Sequence, residues 1–200
     1  ARERAAVAAL HELAAAVGHF HRLAPPIVHR DLKPSNILVQ VVGAAFALRI
    51  TDFGIGGVAV DYIRTQQPMG VSALSGWLET SLRGSYTPLY ASPQQRAGGA
   101  PDPRDDVHAL GVIGYQMATG RLDLAPGIDA ADDLREAGVG EALVALLSRC
   151  VAQKAERRPK DAGELAEKLA ELLGSPAPAV PPPPKPAPPP PPVAVIPPPP

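Results

Sequence analysis

The chain is poor in cysteine. Cys150 is its only one, so neither an intramolecular disulfide nor a cysteine-rich metal site can form. That usage fits a reducing compartment, and a cytoplasmic location is the expectation. Strong charge is absent too. A formal net charge of −1 gives no bulk attraction to nucleic acid or to an anionic membrane. No run of ~18 apolar residues occurs, so no membrane span is expected within the chain. No signal-peptide layout is visible, and no period of roughly 20–50 residues repeats. The sequence opens Ala-Arg-Glu-Arg rather than with Met, and it reads as a piece of a longer polypeptide. A membrane anchor or sensor domain of the parent protein would lie beyond its ends.

Proline is plentiful but concentrated. The last 25 residues hold 16 of the 26 prolines. The foldable part is therefore residues 1–174, one domain's worth, with a tail from Ser175 onward. Proline donates no backbone hydrogen bond, so this tail is expected to be disordered and extended, about 75 Å at ~3.1 Å per residue. It contains several Pro-x-x-Pro matches, the ligand type of aromatic polyproline grooves. A polyproline-binding partner and a plain spacer to another domain are both open readings.

Hydrophobic periodicity predicts four helices. The first spans 2–23, with Val7, Leu10, Ala14, Val17 and His21 on one stripe and Pro25-Pro26 as its stop. Others are expected at 106–119, ended by Gly120, and at 141–151, where Leu143, Leu146, Leu147 and Cys150 share a face. The last covers 162–173, with Asp161 as N-cap and Glu164 as its capping-box partner. Ile27-Val28, Ile37–Val39 and 47–50 read as short buried strands, with Val42-Gly43 at a turn. Residues 55–105 read as a long loop, which in a compact domain is usually functional or disordered. The expected class is mainly α with small β-hairpins (α+β).

The chemistry concentrates in His29-Arg30-Asp31-Leu32-Lys33-Pro34-Ser35-Asn36, followed by Asp52-Phe53-Gly54. The first segment offers a carboxylate, an ammonium and an amide within six residues. The second offers another carboxylate on a glycine-hinged turn. Such a set can accept a hydroxyl proton, neutralise a transferring phosphate and hold magnesium.

This pattern resembles eukaryotic-type (Hanks-type) Ser/Thr protein kinases, in the bacterial style, over about residues 1–173. The resemblance covers the family's C-terminal lobe from its long central helix onward. It implies that Asp31 is the catalytic aspartate and that Lys33 stabilises the γ-phosphate of ATP. Asn36 and Asp52 match the magnesium ligands, both presenting hard oxygen donors. His29 matches a histidine bracing the Asp-Phe-Gly turn, and Phe53 and Gly54 complete that turn. Thr87, before Pro88, matches the threonine that contacts the catalytic Asp and Lys. Asp106 matches the aspartate that ties down the His-Arg-Asp backbone, and His108 stands where the family usually has Trp or Tyr. Arg158 matches the late arginine that pairs with a glutamate, but here that position is Gln94, so an ion–amide hydrogen bond is expected instead.

Arg30 matches an arginine that often binds a phosphorylated activation-loop residue. Thr65, Ser72, Ser75, Thr80, Ser81 and Ser85 are candidate acceptors, or ordinary solvated loop residues. Trp77-Leu78 is a docking contact or a pin holding the loop to its own domain. His11, His19 and His21 form no i, i+4 pair for a metal. Cys150 reads as a core thiol, and Arg157, Arg158 and Lys160 as one structural arginine with solvated charge.

Only 28 residues precede His29. The family's Gly-rich loop, its strand lysine and that lysine's glutamate partner have no counterpart here. The resemblance thus implies protein substrates and an N-terminal ATP-binding lobe missing from this chain. Alone, the chain is expected to be inactive and to expose apolar surface where that lobe docks. Two functional classes remain: a Ser/Thr kinase seen through half its site, and a non-catalytic pseudokinase or scaffold module.

Overall fold

A computed structural model describes residues 2–42, 45–52 and 87–174. Phe53, Gly54, the candidate phosphoacceptors, Trp77-Leu78 and the proline-rich tail lie outside the described residues, as does Gly43 of the expected turn. The described chain is mostly helical with one small antiparallel hairpin.

Helix α1 (Arg2–His21) buries Val7, Leu10, Leu13, Ala14, Val17, Gly18 and His21, the stripe expected from periodicity. It stops at His21, short of the expected 23 and of the prolines. Ile27 and Val28 belong to no strand, although Val28 is buried. A 3-10 turn at Pro34–Asn36 leads into β1 (Ile37–Val42), which pairs antiparallel with β2 (Ala45–Ile50) in the register Ile37↔Ile50 to Val42↔Ala45. The hairpin outruns the predicted runs because Gln40 interrupts the apolar run of β1, while the cross-strand pairs Val41↔Phe46 and Val42↔Ala45 carry the ladder on past it. Glu12 of α1 accepts the Leu48 N–H at 2.9 Å and so ties β2 to the helix.

The expected loop contains two helical stretches. Helix α2 (Pro93–Arg96) is one short turn capped by Ser92. Helix α3 (Pro103–Thr119) begins three residues before the predicted 106, because Asp102 and Asp105 form a reciprocal capping box around Pro103. Thirteen of its residues are buried, so α3 is the axle of the fold. Gly120 closes it in the left-handed conformation at φ 77°. Helix α4 (Ala130–Glu136) was not expected from the sequence. Helices α5 (Glu141–Cys150) and α6 (Ala162–Leu173) follow, α6 with the predicted bounds. Asp161 caps it by accepting the Glu164 N–H at 2.8 Å. Glu164 does not return the bond to Asp161; its carboxylate takes the N–H of Lys160 one residue earlier, also at 2.8 Å.

Two glycines set interhelical spacing. A Cβ on Gly111 would lie 2.5 Å from Cys150 Cβ, which locks α3 against α5. A Cβ on Gly18 would lie 2.7 Å from the backbone nitrogen of Gly163, so α1 meets the first turn of α6 with nothing between. Cys150 is fully buried, and burial pushes its thiol up to about 12, as a core thiol requires.

Leu38, Val39 and Val41 of β1, and Leu122, Leu124 and Ile128 between α3 and α4, stand exposed. The run Ile37–Val39, expected as a buried strand, is thus exposed at Leu38 and Val39, because the two-stranded hairpin has nothing packed over these side chains among the described residues. No described helix is long and apolar enough to cross a membrane.

Candidate active site

The segment from His29 to Asn36 is fixed by its backbone. Arg30 has φ 65°, a left-handed conformation that costs a β-unbranched residue about 1–3 kcal/mol. Buried α3 holds it there. Asp106 accepts the His29 N–H (2.7 Å) and the Arg30 N–H (2.8 Å), and Gln95 Nε2 donates to the Arg30 carbonyl (2.6 Å). Peptide units on both sides of Arg30 are thereby gripped, and the next side chain, Asp31, is aimed outward.

Every oxygen of Asp31 is engaged. Oδ1 accepts the Thr87 N–H (3.1 Å) and hydroxyl (3.0 Å). Oδ2 accepts Lys33 Nζ (2.6 Å) and Asn36 Nδ2 (3.3 Å). Lys33 also donates to the Thr87 hydroxyl at 2.9 Å. Partial burial pushes the Asp31 carboxyl up, but the Lys33 and Thr87 hydrogen bonds, the Lys33 charge and the Asn36 amide together hold it below the ordinary carboxylate range. The group is an ionised base ringed by donors.

Asn36 uses its amide nitrogen on the Asp31 carbonyl (2.9 Å) as well. Among the described residues its Oδ1 has no donor, so a carbonyl oxygen is left for another partner. Asp52 has φ 57° and an exposed carboxylate, which among the described residues is touched by the Thr51 hydroxyl at 3.3 Å. His29 braces the residue before it: Nε2 bonds the Thr51 carbonyl (2.9 Å) while Nδ1 accepts the Asp31 N–H (3.3 Å). The donor set on offer is one amide oxygen and one carboxylate. No cluster of three His, Cys, Asp or Glu side chains exists among the described residues. That chemistry fits Mg²⁺, which keeps waters and takes one or two protein oxygens, better than a metal needing a closed protein cage.

The sequence matches the protein kinase domain family over residues 1–173. The chain belongs to that family. A serine/threonine-protein kinase of Corynebacterium efficiens is 31% identical over 188 residues, covering 88% of this chain and 32% of the relative. Serine/threonine-protein kinase PknB of Mycobacterium leprae is 28% identical over 167 residues, covering 78% of this chain and 24% of the relative. The chain thus spans about a third or less of these relatives. In fold it is similar to the PknI kinase domain of Mycobacterium tuberculosis, with a TM-score of 0.58 at 19% identity, over 84% of this chain and 55% of that one.

At Gln94, where the resemblance led to the expectation of an ion–amide hydrogen bond, the geometry shows how the amide is used. Buried Arg158 donates Nη2 to Gln94 Oε1 (2.8 Å), while Gln94 Nε2 donates to the Gln153 carbonyl (2.7 Å). Arg158 further caps the carbonyls of Ala152 and Arg104. A glutamate at 94 would gain charge against Arg158 but set an oxygen against the Gln153 carbonyl. Gln94→Glu is therefore expected to change stability by less than ~1 kcal/mol, whereas Gln94→Ala costs about 1–2 kcal/mol. Urea denaturation checks this. A stabilisation by Gln94→Glu above ~2 kcal/mol would show the Gln153 contact to be immaterial. His108 is buried on α3, and burial together with the Arg158 and Arg96 charges pushes it down to about 3, so it packs as a neutral ring.

Several tertiary contacts of this framework escape sequence reasoning. Ser92 caps α2 and donates its hydroxyl to Asp105, so the segment after Thr87 is tied to the start of α3. Burial pushes the Asp105 carboxyl up, partly offset by that hydroxyl. The Arg30 guanidinium turns inward to the Gly99 carbonyl (3.1 Å) and lies 3.9 Å from Asp105. In this arrangement its head is engaged by the fold rather than presented at the surface. The Ser-Pro pair is a helix-start signal in the sequence; the tertiary partners carry none.

Proposed function

We propose that this chain is the C-terminal lobe of a Ser/Thr protein kinase, carrying the half of the active site that positions the acceptor hydroxyl. The observation that carries this is the engaged Asp31 carboxylate, ringed by Lys33, Thr87 and Asn36 on a left-handed loop. The names of the relatives support the same class.

The substrates are ATP and a Ser or Thr hydroxyl of a protein. The incoming hydroxyl replaces one of the donors on Asp31 and is oriented by it. As oxygen bonds to the γ-phosphorus and the bond to ADP breaks, the hydroxyl proton passes to Asp31. Lys33, already beside that carboxylate, offsets charge on the transferring phosphoryl group. Thr87 holds the Asp31–Lys33 pair in register through its hydroxyl, which suits a small hydroxyl acceptor. Asn36 Oδ1 and the Asp52 carboxylate would hold magnesium, which when bound neutralises phosphate charge. The nucleotide clamp belongs to an N-terminal lobe outside this sequence, and the exposed apolar residues of β1 suit contact with it.

A radiolabel transfer assay tests the reading. The 200-residue chain alone is expected to transfer no phosphate, and the longer protein that includes the ATP-binding lobe is expected to autophosphorylate. Asp52→Ala in that protein should abolish the signal. Unchanged labelling in Asp52→Ala would remove the magnesium role, and Asp31-dependent turnover by the isolated chain would refute the half-site.

A further inference from the structure

The two glutamines that follow Pro93 serve different neighbours of the short helix α2. Gln94 reaches Arg158 and the Gln153 carbonyl, so it ties α2 to the connection between α5 and α6. Gln95 is buried and turns instead to the loop that carries Asp31. Its side-chain amide lies 2.6 Å from the Arg30 carbonyl. A carbonyl can only accept, so the NH₂ end of the amide faces it. That carbonyl belongs to the peptide unit joining Arg30 to Asp31, whose N–H reaches His29 Nδ1 at 3.3 Å.

Residues 87–96 form one internally bonded piece. The Tyr90 and Ala91 amides close on the Thr87 carbonyl, and Ser92 accepts the Gln95 N–H on its hydroxyl and the Arg96 N–H on its carbonyl. Both ends of this piece meet Asp31. Thr87 holds the carboxylate through Oδ1, and Gln95 holds the peptide unit behind it. One segment thus fixes Asp31 at its tip and at its root.

We infer that Gln95 is a positioning residue: through the Arg30 carbonyl it makes the plane of the Arg30–Asp31 peptide follow the seating of α2, and so aims the Asp31 carboxylate. Gln94 and Ser92 hold α2 in place independently, the one on Arg158 and the other on Asp105. The inference rests on the kinase reading for the importance of Asp31, but the contact is also tested without nucleotide.

Gln95→Met keeps an unbranched side chain of equal length and removes the donor. In the 200-residue chain, amide hydrogen exchange at Asp31 and Thr87 is then expected to rise roughly tenfold, the factor carried by one lost hydrogen bond. The Arg96 and Ala97 amides that close α2, and those of Val112 and Ile113 in α3, should stay within about threefold, since Ser92 and Gln94 still hold α2. Gln95→Glu keeps the shape but sets a carboxylate oxygen against the Arg30 carbonyl, and should raise exchange at Asp31 and Thr87 at least as far. In the longer protein that includes the ATP-binding lobe, Gln95→Met should lower kcat roughly tenfold and leave the KM for ATP within about twofold, because the loss is one of aim and not of nucleotide binding. Native exchange at Asp31 and Thr87 in Gln95→Met would overturn the proposal. So would an equal rise at Arg96 and Ala97, which would make Gln95 a support of α2 alone, or an unchanged kcat in a longer protein that transfers phosphate. Should the variants fail to fold, NMR of the native chain decides: a coupling across the hydrogen bond from Gln95 Nε2 to the Arg30 carbonyl carbon is expected, and its absence contradicts the arrangement. Failure of the native longer protein to transfer phosphate would refute the kinase reading and leave the exchange result standing, so the two failures are separate outcomes.

Discussion

Asp31→Asn is expected to lower kcat for phosphoryl transfer by about three orders of magnitude in the protein that carries the ATP-binding lobe. The substitution keeps volume and shape but removes the proton acceptor. It also disturbs the local pairing. Lys33 Nζ and Asn36 Nδ2 both donate to Oδ2, while the Thr87 N–H and hydroxyl both approach Oδ1. An amide offers one oxygen, so its NH₂ must face donors on one side or the other. The KM for ATP should change little, because Asp31 orients the hydroxyl rather than the nucleotide. The pH profile follows from the same contacts. A carboxyl held below its usual range stays ionised through neutrality, and its contribution is lost only as pH falls through that lowered value. The acidic limb of the native rate profile is therefore expected below the ordinary carboxylate range. Retention of a tenth or more of kcat in Asp31→Asn would show that another group takes the proton.

The reach of the sequence differs from element to element for physical reasons. Helix α6 is fully legible because its cap, its stripe and its glycine stop are all local. The start of α3 is not, because its first turn is Pro-Arg-Asp and the apolar stripe begins only at Val107. Helix α4 buries just Ala130 and Leu134, too little to raise a periodic signal in so acidic a segment. At the site, Asp31, Lys33 and Asn36 are read from spacing because one short loop brings them together. Thr87 and Asp106 are reached only through family resemblance, since their partners lie more than 50 residues away. His21 is placed on the buried stripe of α1, but its bonding partners are missed. A histidine on an apolar stripe looks like filler, and its partners stand 85 and 141 residues downstream. The same holds for Glu164, whose choice of Lys160 over Asp161 depends on backbone angles that spacing does not encode.

Asp106→Asn is expected to destabilise the fold by about 3 kcal/mol, or roughly 10 °C in Tm for a domain of this size. Asp106 has no solvent-accessible surface and accepts three hydrogen bonds, from His29 N–H, Arg30 N–H and His21 Nε2–H. All three partners are donors. An asparagine there keeps one acceptor and introduces two donors, so any placement sets N–H against N–H in the interior. With the amide oxygen toward Arg30, the NH₂ meets both His29 and His21. With the oxygen toward His29, the NH₂ meets Arg30 and releases the peptide that holds φ at 65°. His21 offers no escape: moving its proton to Nδ1 would accept the new amide but set an N–H against the Ala162 N–H. Relief comes most readily by letting Arg30 leave the left-handed region, which recovers about 1–3 kcal/mol of strain and swings Asp31 away from Thr87. Stability and geometry therefore fail together. Thermal denaturation gives the first, and exchange at the Thr87 amide, which Asp31 accepts at 3.1 Å, gives the second. A variant within ~1 kcal/mol of the native chain, with Thr87 protection intact, would mean that α3 does not hold the catalytic loop.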